Sequence, residues 1–389
     1  MNSVNNQVKI LSLGFFLLFF GFGAVQYYQV VYFSAKGMAE VGFWSLILIY
    51  AFFALFSPLA AVLVARYGAK RCMIFASPFY SFFILTLLVK SVSLVYLASI
   101  FLGIAASLLW VGQNSYLIRA SDKKSYGSNS GFFNVLVSLG GGLGLIILGF
   151  LVSRFSFGMP FLFYAVFPII GFLSLFLLSD LRMEQKQNYF LLIKKAFTSA
   201  TALKLASIGF IVNFILGLTL GIIPIEIKNT LGLFYVGVLS SLIYVFPILF
   251  SYFSGKLSDI QGREKIIFFS YSLLLLGLIS LIISSKPLFL ILGIVALTLN
   301  WAIIRPILYA LAGDITPVGN LESIIALFWT IQNLGVLSAL VISQIWKNDM
   351  KIVYLISIVI TAISFFILLP LLKLRIEKIK EKISQEMLS

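Results

Sequence analysis

Twelve charge-poor apolar stretches, each long enough to cross a bilayer, account for most of this chain. A helical span needs about 20 such residues. The stretches cover residues 10–35, 41–65, 72–89, 91–118, 125–153 and 155–179, and after a polar interval 205–225, 229–255, 266–285, 287–313, 323–346 and 352–372. Each is too long and too uniformly apolar for the alternating strands of a membrane barrel. The expected fold class is therefore an all-α integral membrane protein with twelve transmembrane helices.

Composition agrees. Hydrophobic residues make up 61% of the 389-residue chain and charged ones 11%, against about 25% charged in soluble domains. Lipid has to solvate much of the surface. The first stretch is longer than a signal-peptide core and no obvious cleavage site follows it, so it is read as the first membrane helix. Cys72 is the single cysteine and histidine is absent, which excludes an intramolecular disulfide and any metal site built on cysteine or histidine. No cofactor is expected.

The formal charge of +15 is carried by short basic clusters between apolar runs, not by a basic domain, so membrane orientation explains it better than nucleic acid. With the N-terminus placed in the cytoplasm, 20 Lys and Arg residues fall on the inner side and 7 on the outer side; the remaining one, Arg305, lies within a span. A wrong helix count would scramble that alternation. Both termini are expected in the cytoplasm of a cell whose plasma membrane holds the protein.

The polar segment 181–204 reads as a cytoplasmic connector between two six-helix halves, residues 1–180 and 205–373. In the tail, 374–389, Ile376, Ile379, Ile383 and Met387 share one helical face. That face suits the inner leaflet, and a plain solvated helix is the alternative. The halves echo each other. Gly68 and Gly262 stand 194 positions apart in loops of similar sequence, and Trp110 and Trp301 stand 191 apart. Near-equal offsets in separate places indicate an internal duplication, giving two pseudo-symmetric six-helix bundles.

The stretch Gly255-Lys-Leu-Ser-Asp259-Ile-Gln-Gly262-Arg263-Glu-Lys265 resembles the cytoplasmic loop signature of the major facilitator superfamily. Gly262 permits a tight turn, Asp259 can accept hydrogen bonds from a helix N-terminus, and Arg263 and Lys265 can anchor at headgroup level. The resemblance implies a loop that latches the cytoplasmic side during alternating access. The first-half copy, around Gly68 and Arg71, has Ala61 and Ala65 where the signature has glycine and aspartate; there an ordinary positive-inside turn is the stronger reading. Leu108-Leu-Trp110-Val-Gly112-Gln113-Asn114-Ser115-Tyr116, followed by Asn129-Ser130-Gly131-Phe132-Phe133, is similar to the uncoordinated-ninety-three-like branch of that superfamily. Some animal members of the branch act as channel regulators or trafficking chaperones, which keeps a non-transporting role beside secondary transport. Gly131, Gly140 and Gly144 resemble part of an antiporter signature, with Leu145 in place of its proline; close helix packing is the stronger reading.

No hydrolytic or metal constellation is present, and all thirteen carboxylates lie in loops or at helix ends. An enzyme is not expected, nor a proton relay through a buried acid. The polar residues inside spans are the candidates for a substrate pathway. Asn213, Asn300, Gln332 and Asn333 fall near mid-membrane; Gln113, Asn114, Asn134 and Arg305 lie toward the inner side; Gln26 and Gln29 lie toward the outer side. Trp110, Trp301 and Trp329 offer stacking walls. Each amide taken alone equally suits an interhelical hydrogen bond. Arg305 has two readings: its long stem snorkels to lipid phosphates, or its charge attracts an anionic group on a solute. A small-molecule solute, the lipid bilayer and a monomeric state are expected, with no nucleic-acid partner.

Overall fold

The computed structural model describes residues 6–89, 91–121, 126–181, 189–283, 286–315, 321–372, 383 and 385. Among them there is no strand, and twelve stretches are long and apolar enough to cross a membrane. The first six spans are α1 (Asn6–Ala35), α2 (Ala39–Tyr67), the pair α3 (Ala69–Ala76) and α4 (Pro78–Leu88), α5 (Val92–Arg119), α6 (Tyr126–Phe155), and the pair α7 (Gly158–Tyr164) and α8 (Val166–Leu175). A short helix, α9 (Tyr189–Thr198), precedes the seventh span, which is α10 (Ala200–Leu220) continued by α11 (Ile222–Leu231). Then follow α12 (Leu233–Gln261), α13 (Arg263–Ile282), α14 (Pro287–Ile315), α15 (Leu321–Ile345) and α16 (Met350–Leu372).

The segment read from sequence as a connector thus contains a helix, and the seventh span begins at Ala200. The cause is Ser199, whose side chain accepts from the Ala202 N–H at 3.2 Å and caps α10. Ser91 caps α5 in the same way. The tail expected to lie on the inner leaflet falls outside the described residues except at 383 and 385.

Leu55, Met159, Ile260 and Phe366 are 69–72% exposed. Apolar exposure repeated on this scale over a surface fits lipid and not water. The first and seventh spans are the most enclosed, with 67% and 83% of their apolar windows buried, against 33% for the last span.

The chain divides into two compact units. One comprises Met1–Gln187 with Pro224–Val245, the other Asn188–Ile223 with Phe246–Ser389. In the first unit α1 lies along α6, and glycine sets the distance. A β-carbon added at Gly140 would come 2.4 Å from the Phe16 carbonyl oxygen, and one at Gly144 would come 2.3 Å from that of Phe20. Gly103 of α5 meets the Ile49 carbonyl of α2 in the same manner, at 2.4 Å. The second unit repeats the device, Gly335 of α15 meeting the Phe210 carbonyl of α10 at 2.1 Å. In lipid, where tails are as apolar as side chains, such close backbone approach supplies the dispersion contact that holds helices together.

Gly140 and Gly144 are therefore packing residues, whereas a β-carbon at Gly131 would meet nothing within 4 Å. Gly144→Val should lower stability by about 1–3 kcal/mol through overpacking against backbone. Gly131→Ala should be neutral or stabilising by up to about 1 kcal/mol through helix propensity. Melting of the purified variants checks this, and equal midpoints for the two would contradict the seam.

Candidate functional site

The amides singled out in the sequence are distributed among several local arrangements. Gln29 is fully buried and ties α1 to α2: its Nε2 donates to Ser45 Oγ and, at 3.4 Å, to the Gly42 carbonyl. Gly42 makes this possible, because a β-carbon there would stand 2.8 Å from the Val30 Cα. Gln26 donates to the Tyr50 hydroxyl at 3.3 Å. Asn213 of α10 donates to Gln332 Oε1 of α15 at 3.4 Å, both side chains being buried. Asn300 of α14 donates to the Ser270 carbonyl and hydroxyl of α13 at 2.6 and 2.7 Å.

Three others bond within their own helices. Asn114, Asn134 and Asn333 each donate to the carbonyl four residues earlier, those of Trp110, Ser130 and Trp329. Asn134 is exposed, and Gln113 is buried. Arg305 is half-buried, with its guanidinium carbon 5.0 Å from the centroid of the Trp301 ring one turn earlier. The structure thus joins Asn213 with Gln332 and Trp301 with Arg305 but gathers no single amide cluster.

In the first unit, aromatic rings dominate one face of α1. Trp110 lies 5.7 Å from Phe15 and 5.2 Å from Phe19, Phe133 lies 5.2 Å from Phe15, and Tyr80 lies 4.7 Å from Phe22. Tyr50, beside Gln26, is close enough to Tyr244 and to Tyr80 for their hydroxyls to interact electrostatically. These tyrosines escaped the sequence reading, although a signal existed: Tyr50 and Tyr244 are 194 positions apart, the offset of the loop glycines.

Gly68 and Gly262 have nearly identical backbones, φ 93° and ψ 145° at the first, φ 93° and ψ 142° at the second. Their N–H groups cap the preceding helices at the Val64 and Ser258 carbonyls. In the first copy Lys70 Nζ donates to the Phe176 carbonyl at 2.9 Å and to that of Leu178. Arg71 stands 3.7 Å from Asp180. Gln7 Oε1 accepts from the Tyr116 hydroxyl at 2.8 Å and the Ser179 N–H at 2.7 Å. Cations placed at the exposed carbonyls of a helix end favour the macrodipole, so this loop clamps the end of the sixth span inside its own unit. In the second copy Arg263 is half-buried and Lys265 exposed; Gly255 has open space where a β-carbon would stand. The side chain of Asp259 lies outside the described residues.

The hairpin of α11 and the start of α12 belongs to the first unit. The Tyr28 hydroxyl donates to the Leu233 carbonyl at 2.8 Å. A β-carbon at Gly237 would come 2.3 Å from the Leu145 carbonyl and 3.2 Å from the Gly149 Cα.

A family model described as Major Facilitator Superfamily matches residues 11–337, with a second match at 205–387. The chain is 32% identical to UNC93-like protein 3 of Arabidopsis thaliana over 32% of its own length and 26% of that protein. It is 30% identical to UNC93-like protein MFSD11 of Xenopus tropicalis over 34% of its own length and 30% of that protein. These matches thus span less than a third of those relatives. An uncharacterised MFS-type transporter of Methanocaldococcus jannaschii is 26% identical over 69% of this chain and 72% of that protein. Among solved structures, a POT family transporter in complex with 5-aminolevulinic acid has a TM-score of 0.75 at 14% identity, covering 95% of this chain and 97% of that one. The nucleoside transporter NupG has a TM-score of 0.73 at 14% identity, covering 93% and 98%.

The glycine turns and the ion pair differ in weight. Gly68→Ala and Gly262→Ala should each cost about 1–3 kcal/mol, because the backbone conformation is strained for any residue with a β-carbon. Arg71→Gln should cost no more than about 1 kcal/mol, since Arg71 and Asp180 are 61% and 39% exposed. Thermal unfolding of the three variants tests the ranking, and a larger loss in Arg71→Gln would reverse it.

Proposed function

Because the chain belongs to the Major Facilitator Superfamily, we propose that it is a secondary transporter moving a small solute by alternating access. The observation that carries this reading is the way the seventh and eighth spans divide. Their connected ends, Pro224–Val245, cluster with the first unit, and the remainder of both spans clusters with the second. Each crossing point has a helix-weakening residue beside it. Gly221, at φ −96° and ψ −92°, separates α10 from α11, and Pro247 interrupts the hydrogen-bond ladder of α12. Hinges of this kind absorb backbone change while packed segments move as bodies. With 20 of the basic residues assigned to the cytoplasmic side, the hairpin falls on the outer side and the Gly68 and Gly262 loops on the inner side. The protein acts as a monomer in the cell membrane with both termini inside. The latch reading of the second loop belongs to this proposal, as does the grouping into halves 1–180 and 205–373. So does a pathway role for Asn213 and Gln332.

A second reading, a regulator or chaperone that moves nothing, is favoured by the aromatic filling around Trp110, where Phe15, Phe19 and Phe133 crowd one face. Accessibility decides between the two. In a Cys72→Ala background, Asn114→Cys and Tyr244→Cys are each treated with an impermeant maleimide from either face of sealed vesicles. Transport predicts that adding Gly237→Leu, which unseats the hairpin by about 1–3 kcal/mol, shifts the side of labelling by roughly tenfold. Labelling fixed to one side in every background, with no solute uptake by proteoliposomes, would leave the regulator reading.

A further inference from the structure

The first unit holds a recognition surface of a different kind from the amides and the arginine. Phe19, Phe22 and Gln26 follow one another at helical spacing on one face of α1. Trp110 from α5 and Tyr80 from α4 stand against the two phenylalanines, Trp110 tilted to Phe19 at 53° and Tyr80 edge-on to Phe22 at 85°. At the far end of this column Gln26 donates to the Tyr50 hydroxyl. Tyr244 closes the group: its hydroxyl stands 3.2 Å from where a β-carbon of Gly23 would be, so the glycine gives it room.

The Tyr80 side chain decides the reading. It is 1% exposed and its hydroxyl has no hydrogen-bond partner. A buried hydroxyl without a partner is destabilising, and such orphans in native proteins ask for an explanation. A fold that had only to fill this space would be served better by phenylalanine. The hydroxyl both donates and accepts, so a solute carrying either function satisfies it.

Charge sets the remaining chemistry. Of the described charged residues of these helices, Lys9, Glu40, Arg66, Lys70, Arg71 and Arg119 lie at helix ends, and Lys256 of α12 is exposed, 12 residues beyond Tyr244, so none reaches the column. Among the described residues of this unit, an anion brought there finds no counter-ion and faces the negative faces of rings. A cation gains from those faces, yet the gain is smaller than the penalty for burying a charge with no carboxylate beside it. We infer that this column receives an uncharged solute with an aromatic ring and a hydrogen-bonding edge. The ring stacks against Phe19 and Trp110 while the edge engages Tyr80, Tyr50 and Gln26. The inference deepens the transporter reading by naming the solute class, and it depends on that reading for access to the column but not for binding.

Three probes sharing one ring test it: tyrosol, which is neutral, tyramine, a cation, and hydroxyphenylacetate, an anion. Each is titrated into the purified full chain, and the rise in melting temperature gives an apparent affinity. Saturable binding of tyrosol, at least about tenfold tighter than either charged probe, is expected from the cost of an unpaired buried charge. Tyr80→Phe should weaken tyrosol by roughly five- to tenfold while leaving the melting temperature of the ligand-free protein equal or higher, since the hydroxyl it removes has no partner. Equal affinity for the three probes, preference for a charged one, an unaffected Tyr80→Phe, or no saturable binding of any probe at millimolar concentration overturns the inference. Binding of tyrosol without uptake in proteoliposomes removes the transport reading and leaves this one standing.

Discussion

A backbone amide with no water beside it has to find its partner within reach, and in a bilayer the helix is what lets a single segment do so alone. The same condition governs the side chains of this protein. Ser12, Ser57, Ser99, Ser357 and Thr361 each donate to a carbonyl four residues earlier, those of Val8, Phe53, Val95, Val353 and Ser357. Hydroxyls satisfied on their own helices contribute no specific attraction between helices. Fit between surfaces then decides which helices touch, and glycine decides how closely. The Gly140 and Gly144 seam and the Gly335 seam follow from that condition, as does the approach of Gly237 to α6.

The duplication reaches atomic detail. Phe16 and Phe20 stack at 6.2 Å, and Phe210 and Phe214, each 194 positions later, also stack at 6.2 Å. The first pair presents its carbonyls to glycines of α6, and Phe210 presents its own to a glycine of α15. Gly68 and Gly262 keep one conformation although the residues around them have diverged. Departure of Ala61 and Ala65 from the loop signature therefore did not alter the turn. It altered what the turn holds: in the first copy Lys70 and Arg71 grip the end of the sixth span. Function at these loops is separable from geometry, because the glycine fixes the geometry and the flanking charges choose the partner.

The number of spans was legible because it depends on a one-dimensional quantity, apolar length against bilayer thickness. Helix starts were less so. The charge-free apolar run of the seventh span begins at residue 205, yet one hydroxyl, Ser199, starts α10 five residues sooner, and Lys204 lies within the helix. The partners of the polar residues were illegible for a stronger reason. Whether Gln29 faces a pathway or a neighbour depends on the rotation and crossing of α1 and α2, and these turn on Gly42. Asn213 and Gln332 are 119 residues apart, and close approach at Gly209, Gly217 and Gly335 brings their helices into register. Nothing in hydropathy encodes such a distance.

Amides drew attention in the sequence because a membrane span seldom carries them, whereas tyrosine is common where spans meet the interface. The structure reverses that weighting. Asn300, Gln29 and Asn213 spend their donors on neighbouring helices, so they stabilise the fold whether or not a solute is present. Asn300 Oδ1 and Gln29 Oε1 stay without partners, but each belongs to a side chain already fixed at its other end. Tyr80 is anchored only by its ring, and its one polar atom is the one left over. A group that the fold does not use and does not replace is better placed to discriminate solutes than one that the fold already holds. Tyr50 adds to this, because its repeat partner Tyr244 lies within electrostatic reach of it. A duplication that places one tyrosine on each of two related helices supplies two hydroxyls to one surface without any charge. Recognition there rests on ring shape and hydrogen bonds, and net charge counts against a solute.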